Sequence, residues 1–154
     1  MGASAVSGSA AGTAPYLFAV CGWKNSGKTT LITQLIPELK RRGYEVAVIK
    51  HDGHDFGSDV PGTDSWRHRE AGAYGTAVFS GKRVAVMKEV TKRFPGMDER
   101  QIAELFPEAD VILIEGLKDS NYPKYICRYP EEVPQVEEIA EEIVQGMVNG
   151  RLLL

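Results

Sequence analysis

Cysteine is scarce in this chain. Only Cys21 and Cys127 occur, too few for a disulfide framework, and each falls within an apolar run where a small buried thiol is common, so both are expected to be reduced core residues. Charge of a single sign is lacking as well. The formal net charge is -3 with no long run of either sign, which argues against nucleic acid as a partner and leaves any attraction for phosphate to local geometry. No apolar run approaches the roughly 18 residues that would span a bilayer, so a soluble protein with no membrane partner is expected, and a cytoplasmic location with it. The opening MGASAVSGSAAGTA has neither the basic start nor the strongly apolar stretch of a signal peptide, and Val6 breaks the myristoylation pattern. Residues 1–14 therefore read as a disordered leader. Histidine is rare too. His51 and His54 have metal-like spacing beside Asp52 and Asp55, but no further Cys or His cluster completes a zinc site.

What is present is enough apolar material, 43% of 154 residues, for one core and one domain over residues 15–154. YLFAVC reads as a strand that runs into a glycine-rich turn. Leu31, Leu35, Ile36 and Leu39 then recur at helical intervals, and Lys40, Arg41 and Arg42 before Gly43 mark a helix C-terminus. Pro37 lies inside that helix and predicts a kink, since it removes one backbone bond at a cost of about 3 kcal/mol. EVAVIK predicts a second strand that closes a βαβ unit. A loop over His51 to Gly62 leads through Thr63 or Asp64 as N-cap into a short helix, DSWRHREAGA. AYGTAVFS and RVAVMKEV predict a hairpin in an otherwise parallel sheet. Further on, Asp98 to Phe106 reads as a short amphipathic helix, DVILIE as a central parallel strand and Lys124 to Tyr129 as one more strand. The apolar stripe Val136, Ile139, Ala140, Ile143, Val144 and Met147 predicts the last helix. The expected fold is α/β, a P-loop NTPase-like three-layer sandwich with a mostly parallel sheet and one antiparallel hairpin.

GWKNSGKT, Gly22 to Thr29, satisfies the pattern of a glycine, four residues, then glycine, lysine and serine or threonine. The flanking strand and helix are the context its chemistry requires. Gly22 and Gly27 permit backbone angles and close approach that a Cβ hinders, so the amides through Lys24, Asn25 and Ser26 can face a β-phosphate from a helix N-terminus. Lys28 is placed to reach β- and γ-oxygens, the Thr29 hydroxyl to ligate Mg²⁺, and Thr30 to bond the α-phosphate. A carboxylate near that metal is expected at the end of a neighbouring parallel strand. Glu115, followed by Gly116, meets the need, and Asp52 after the second strand is the competing or additional candidate. Arg67, Arg69, Lys82 and Arg83 read by default as exposed cations.

Four stretches carry a likeness beyond the phosphate loop: GWKNSGKTTLITQLIPEL with its internal proline, VIKHDGHDF, PGTDSWRHREAGA, and VILIEGLKDSNYPKYICRY. With them the chain resembles the molybdopterin-guanine dinucleotide biosynthesis protein B (MobB) family over most of Tyr16 to Tyr129. The resemblance implies a homodimeric GTP-binding accessory protein with at most feeble GTPase activity. Such a protein assists the partner enzyme MobA, which joins GMP to molybdopterin. By the same resemblance Gly22 to Thr30, Glu115 and Gly116 match the nucleotide site. His51, Asp52, Asp64, Ser65 and Arg67 match a second signature, expected to face phosphate or pterin. The chain departs from the family where RYPEEVPQ runs almost directly into the last helix. The usual guanine-reading pattern is also absent, since TKRF at Thr91 ends in Phe where an aspartate is required. A free-standing P-loop kinase acting on a small metabolite is the alternative, but no arginine-rich lid is evident.

Overall fold

The computed structural model describes residues 13–53, 56, 57 and 59–152. The leader expected over residues 1–14 thus falls mostly outside the described residues, as do His54 and Asp55. The chain divides into two compact units, Met1–His51 with Glu99–Leu154 and the intervening Asp52–Asp98.

In the larger unit, β1 (Tyr16–Gly22), α1 (Lys28–Arg41) and β2 (Val46–Lys50) form the expected βαβ unit. Beyond the smaller unit come α3 (Glu99–Ala103), β5 (Val111–Glu115), β6 (Lys124–Cys127) and α4 (Val136–Leu152); the smaller unit holds α2 (Asp64–Glu70), β3 (Gly75–Phe79) and β4 (Val84–Lys88). The strand order is β2-β5-β1-β6, and every pairing in that sheet is parallel.

A parallel sheet covered on both faces needs strands apolar at every position. β1 and β5 meet this with opposite sides of the pleat. Phe18, Val20, Val111 and Leu113 pack with Leu31, Leu35 and Leu39 of α1 and with Ile139, Ala140 and Ile143 of α4. Ala19, Cys21, Ile112 and Ile114 point the other way and pack with Ala103 of α3 and with Ala109. The result is three layers, with α1 and α4 over one face and α3 over the other.

The two cysteines also fall on opposite faces of the sheet. Both are buried and free, and burial pushes both thiols up.

α1 runs unbroken through Pro37, which is exposed, so water can reach the carbonyl that the proline leaves without its helical donor. At the C-terminus Gly43, at φ 93°, directs its own amide to the Lys40 carbonyl and the Tyr44 amide to that of Leu39, the Schellman arrangement. Arg42 holds α1 to α4. Its guanidinium donates to Glu38 at 2.9 Å and to Glu141 at 2.6 Å.

The hairpin differs from expectation in one respect. β3 and β4 pair antiparallel with Gly75 opposite Lys88 and Phe79 opposite Val84, but they form a separate two-stranded sheet and not an edge of the parallel one. Phe79, Val84, Val86 and Val90 are exposed. β6 ends at Cys127, short of the expected Tyr129, next to Pro130, which has no N–H to give a ladder.

Candidate functional site: the phosphate loop and the carboxylate of β5

The loop after β1 has the backbone of an anion cradle. Asn25 takes φ 61° and Gly27 φ 91°, turning the chain back on itself so that α1 begins directly from the glycine. Gly27 is the N-cap and no side chain bonds the end of the helix, whose first turn contains no acid. The first-turn amides of α1 are thus left for a ligand with negative charge.

Gly22 has no room for a side chain. A Cβ there would lie 2.7 Å from the Cys127 carbonyl oxygen and would also strike Ser26 Oγ. Ser26 is 5% exposed and its hydroxyl has no partner. A buried unbonded hydroxyl is costly unless something completes it, and here it sits within the loop that a phosphate would fill. The Lys28 ammonium folds back across the loop, donating to the carbonyls of Gly22 at 2.8 Å and Trp23 at 3.3 Å.

β5 lies between β1 and β2, with Glu115 in register with Val20 and with Lys50. This brings its carboxylate to the carboxyl end of the sheet, where ligands of open α/β folds bind. The Thr29 hydroxyl donates to Glu115 Oε1 at 2.9 Å. A hydroxyl and a carboxylate oxygen converging at the first turn of α1 are the hard donors that suit Mg²⁺, so these two residues fit the metal the loop implies. Three bonds hold the backbone of Glu115 and Gly116: the Glu115 carbonyl accepts the His51 amide at 3.0 Å, the Gly116 amide donates to the Val20 carbonyl at 3.0 Å, and the Cys21 thiol donates to the Gly116 carbonyl at 3.1 Å. Gly116, at φ 112°, lets the chain turn away at once.

The structure therefore brings together the loop residues Gly22 to Thr30, Glu115, Gly116 and the backbone of His51. The other residues named from sequence belong to the smaller unit. Asp52 is exposed at its start. Asp64 and Arg67 are exposed on α2, while the Ser65 hydroxyl donates to Asp59 at 3.3 Å. Among the described residues no group of three or more His, Cys, Asp or Glu could hold a metal.

Two side chains at the loop were not singled out from sequence. Trp23 is 80% exposed, and the Lys118 ammonium lies 5.0 Å from the centre of its ring. A recess of about 790 Å³ lined by Tyr16, Leu17, Arg100, Tyr122, Pro123 and Met147 opens at the amino end of β1, the end of the strand away from the phosphate loop.

Residues 17–147 match the family model for MobB, "Molybdopterin guanine dinucleotide synthesis protein B". The chain belongs to the MobB family. Among curated relatives, the molybdopterin-guanine dinucleotide biosynthesis adapter protein of Haemophilus influenzae is 36% identical over 135 residues, 86% of this chain and 74% of that one. Its counterpart in Escherichia coli is 40% identical over 112 residues, 71% of this chain but only 63% of the relative. A crystal structure of Bacillus subtilis MobB superposes with a TM-score of 0.61 at 31% identity, covering 74% of this chain and 68% of that one. Another MobB crystal structure gives 0.62 at 26% identity, covering 85% and 98%. The matched region includes the phosphate loop and Glu115, so the site built from geometry lies inside the family's shared region.

Proposed function

We propose that this MobB-family chain is a cytoplasmic adaptor in the assembly of molybdopterin guanine dinucleotide, binding GTP with Mg²⁺ and assisting the partner enzyme MobA that attaches GMP to molybdopterin. The observation that carries the reading is an intact phosphate loop facing a strand-end carboxylate, within a segment matched to that family from residue 17 to residue 147. Gly22, Lys24, Asn25, Ser26 and Gly27 supply the cradle, Lys28 the charge on the β- and γ-oxygens, and Thr30 a bond to the α-phosphate. Thr29 and Glu115 would hold the metal, which would supply positive charge to neutralise the terminal phosphates. Roles for His51, Asp52, Asp64, Ser65 and Arg67 rest on the family's second signature.

Hydrolysis is weak or absent in this reading. The loop and Glu115 can bind and orient a triphosphate, but a fast phosphoryl transfer needs further cations around the γ-phosphate. A homodimer is part of the proposal, supported by the apolar side chains that the β3–β4 hairpin leaves exposed.

Isothermal titration with GTP and Mg²⁺ tests the site. Lys28→Ala should weaken binding by about 1.5–3 kcal/mol, the worth of a charge-assisted hydrogen bond, and unchanged affinity would remove Lys28 from the site. Incubation with labelled triphosphate tests the role. Turnover above about 1 s⁻¹ with a small acceptor, within the range of kinases, would replace the adaptor by the kinase reading.

A further inference from the structure

Beyond the phosphate loop itself, we propose that Trp23 and Lys118 form a second subsite at its terminal-phosphate end, one that takes a planar heteroaromatic anion of the phosphorylated pterin class. The proposal rests on the reading that the loop holds a triphosphate.

The first observation is an exposed indole where burial would be usual. A tryptophan side chain ordinarily buries 150–250 Å², but Trp23, the second residue of the loop, is 80% exposed. Lys118 covers one side, its ammonium 5.0 Å from the ring centre, within the range of a cation held by the ring's electrons. The opposite side remains open to stack a planar ring.

The second observation is that Lys118 is held in place by its backbone. Leu117 adopts φ 57° and its carbonyl accepts the Ser120 amide at 3.0 Å, closing a tight turn directly after Gly116. Lys124 of β6 fastens that turn to the sheet, its ammonium donating to the carbonyl of Lys118 at 2.7 Å and to that of Ser120. The segment that follows Glu115 and Gly116 therefore carries a cation to the indole, and Lys124 is the positioning residue.

The third observation relates this pair to the phosphate loop's lysine. The lysine of a phosphate loop reaches the β- and γ-oxygens, and the Lys28 ammonium rests on the carbonyls of Gly22 and Trp23. The Trp23 backbone thus lies beside the ammonium that would serve the terminal phosphates, and the pair is assigned to that end of the site. A flat ring on the indole with its anionic group on Lys118, and with exposed Lys24 adjacent, satisfies both parts of the pair.

The test is isothermal titration of the full chain with neopterin monophosphate, neopterin and inorganic phosphate, each with and without a non-hydrolysable GTP analogue. Neopterin monophosphate should bind alongside the analogue. Trp23→Ala should weaken it by about tenfold or more, as loss of a stacking aromatic does, while Trp23→Phe should restore most of the affinity. Lys118→Met should erase the preference for neopterin monophosphate over neopterin. The subsite is overturned if neopterin monophosphate does not bind, if Trp23→Ala binds it like the parent, or if the analogue displaces it, which would place the probe in the phosphate cradle. Failure of the parent to bind the analogue, with Trp23-dependent binding of the probe retained, would sink the triphosphate reading and leave the subsite standing.

Discussion

Alanine at Gly22 and alanine at Gly43 should damage this protein by different amounts. Both glycines have positive φ, 145° and 93°. Around Gly43 a Cβ would meet nothing within 4 Å, whereas at Gly22 it would lie 2.7 Å from the Cys127 carbonyl oxygen and would strike Ser26 Oγ. The carbonyl belongs to β6, paired to β1 at that very position, and has nowhere to rotate. Ser26 is buried, so its hydroxyl has little more freedom. Gly43→Ala should therefore lose about 1–2 kcal/mol, the strain of a left-handed alanine. Gly22→Ala adds the cost of overpacking and should lose about 2–5 kcal/mol in all, a large part of the 5–15 kcal/mol that holds a typical domain together. Urea unfolding of the two variants measures this directly, with the comparison valid where the denaturant slope is unchanged. Any Gly22→Ala protein that folds should also bind triphosphate poorly, because relief of the clash must move the loop. Equal losses in the two variants would refute the reasoning, showing that the β6 carbonyl yields and that Gly22 is needed only for its backbone angle.

Thr29→Val should weaken triphosphate binding by about tenfold with Mg²⁺ present and very little in EDTA, the outcome the proposed metal-ligand role of the hydroxyl requires; equal losses under both conditions would deny it that role. Glu38 offers a pH test. The Arg41 guanidinium beside it, and then that of Arg42, hold its carboxyl at about 2. Because this lies below the usual carboxylate value, its contribution to stability is complete above the unfolded value, near 4.3, and is lost as pH falls from there toward 2. Glu38→Gln should flatten the acid limb of a stability profile over that window, and an unchanged limb would exclude the pair. At the other end of the unit, a Cβ on Gly146 would lie 2.7 Å from Cζ of Tyr16. Gly146→Ala should cost about 1–3 kcal/mol, and Tyr16→Ala should relieve part of that cost in a double-mutant cycle followed by thermal melting.

Much of the fold was legible because its signals are local. The chain GWKNSGKT specifies its own loop, since glycines, lysine and threonine act within a few residues of one another. Gly43 announced the helix stop for the same reason, as the capping bonds run to Leu39 and Lys40. The stripe of α4 and the continuous apolar run of β5 follow from periodicity, which a sequence displays openly. The hairpin was legible only as a pair: its two strands announce each other, but nothing in them states whether they join the larger sheet, and they do not.

The amino-acid sequence by itself determined that a glycine-rich loop with the phosphate-binding pattern lies between a strand and a helix, and that an acid ends an apolar strand far along the chain. Only the tertiary structure decided that Thr29 and Glu115 meet at 2.9 Å, because the strand order β2-β5-β1-β6 inserts β5 between two strands that are neighbours in sequence. It alone showed Ser26 buried without a partner and Lys118 resting on Trp23. The physical reason is the range of the forces concerned. Backbone preference and hydrophobic period act over a few residues and are written in order along the chain, whereas a contact across 86 residues exists only once parallel pairing has fixed which strand lies beside which.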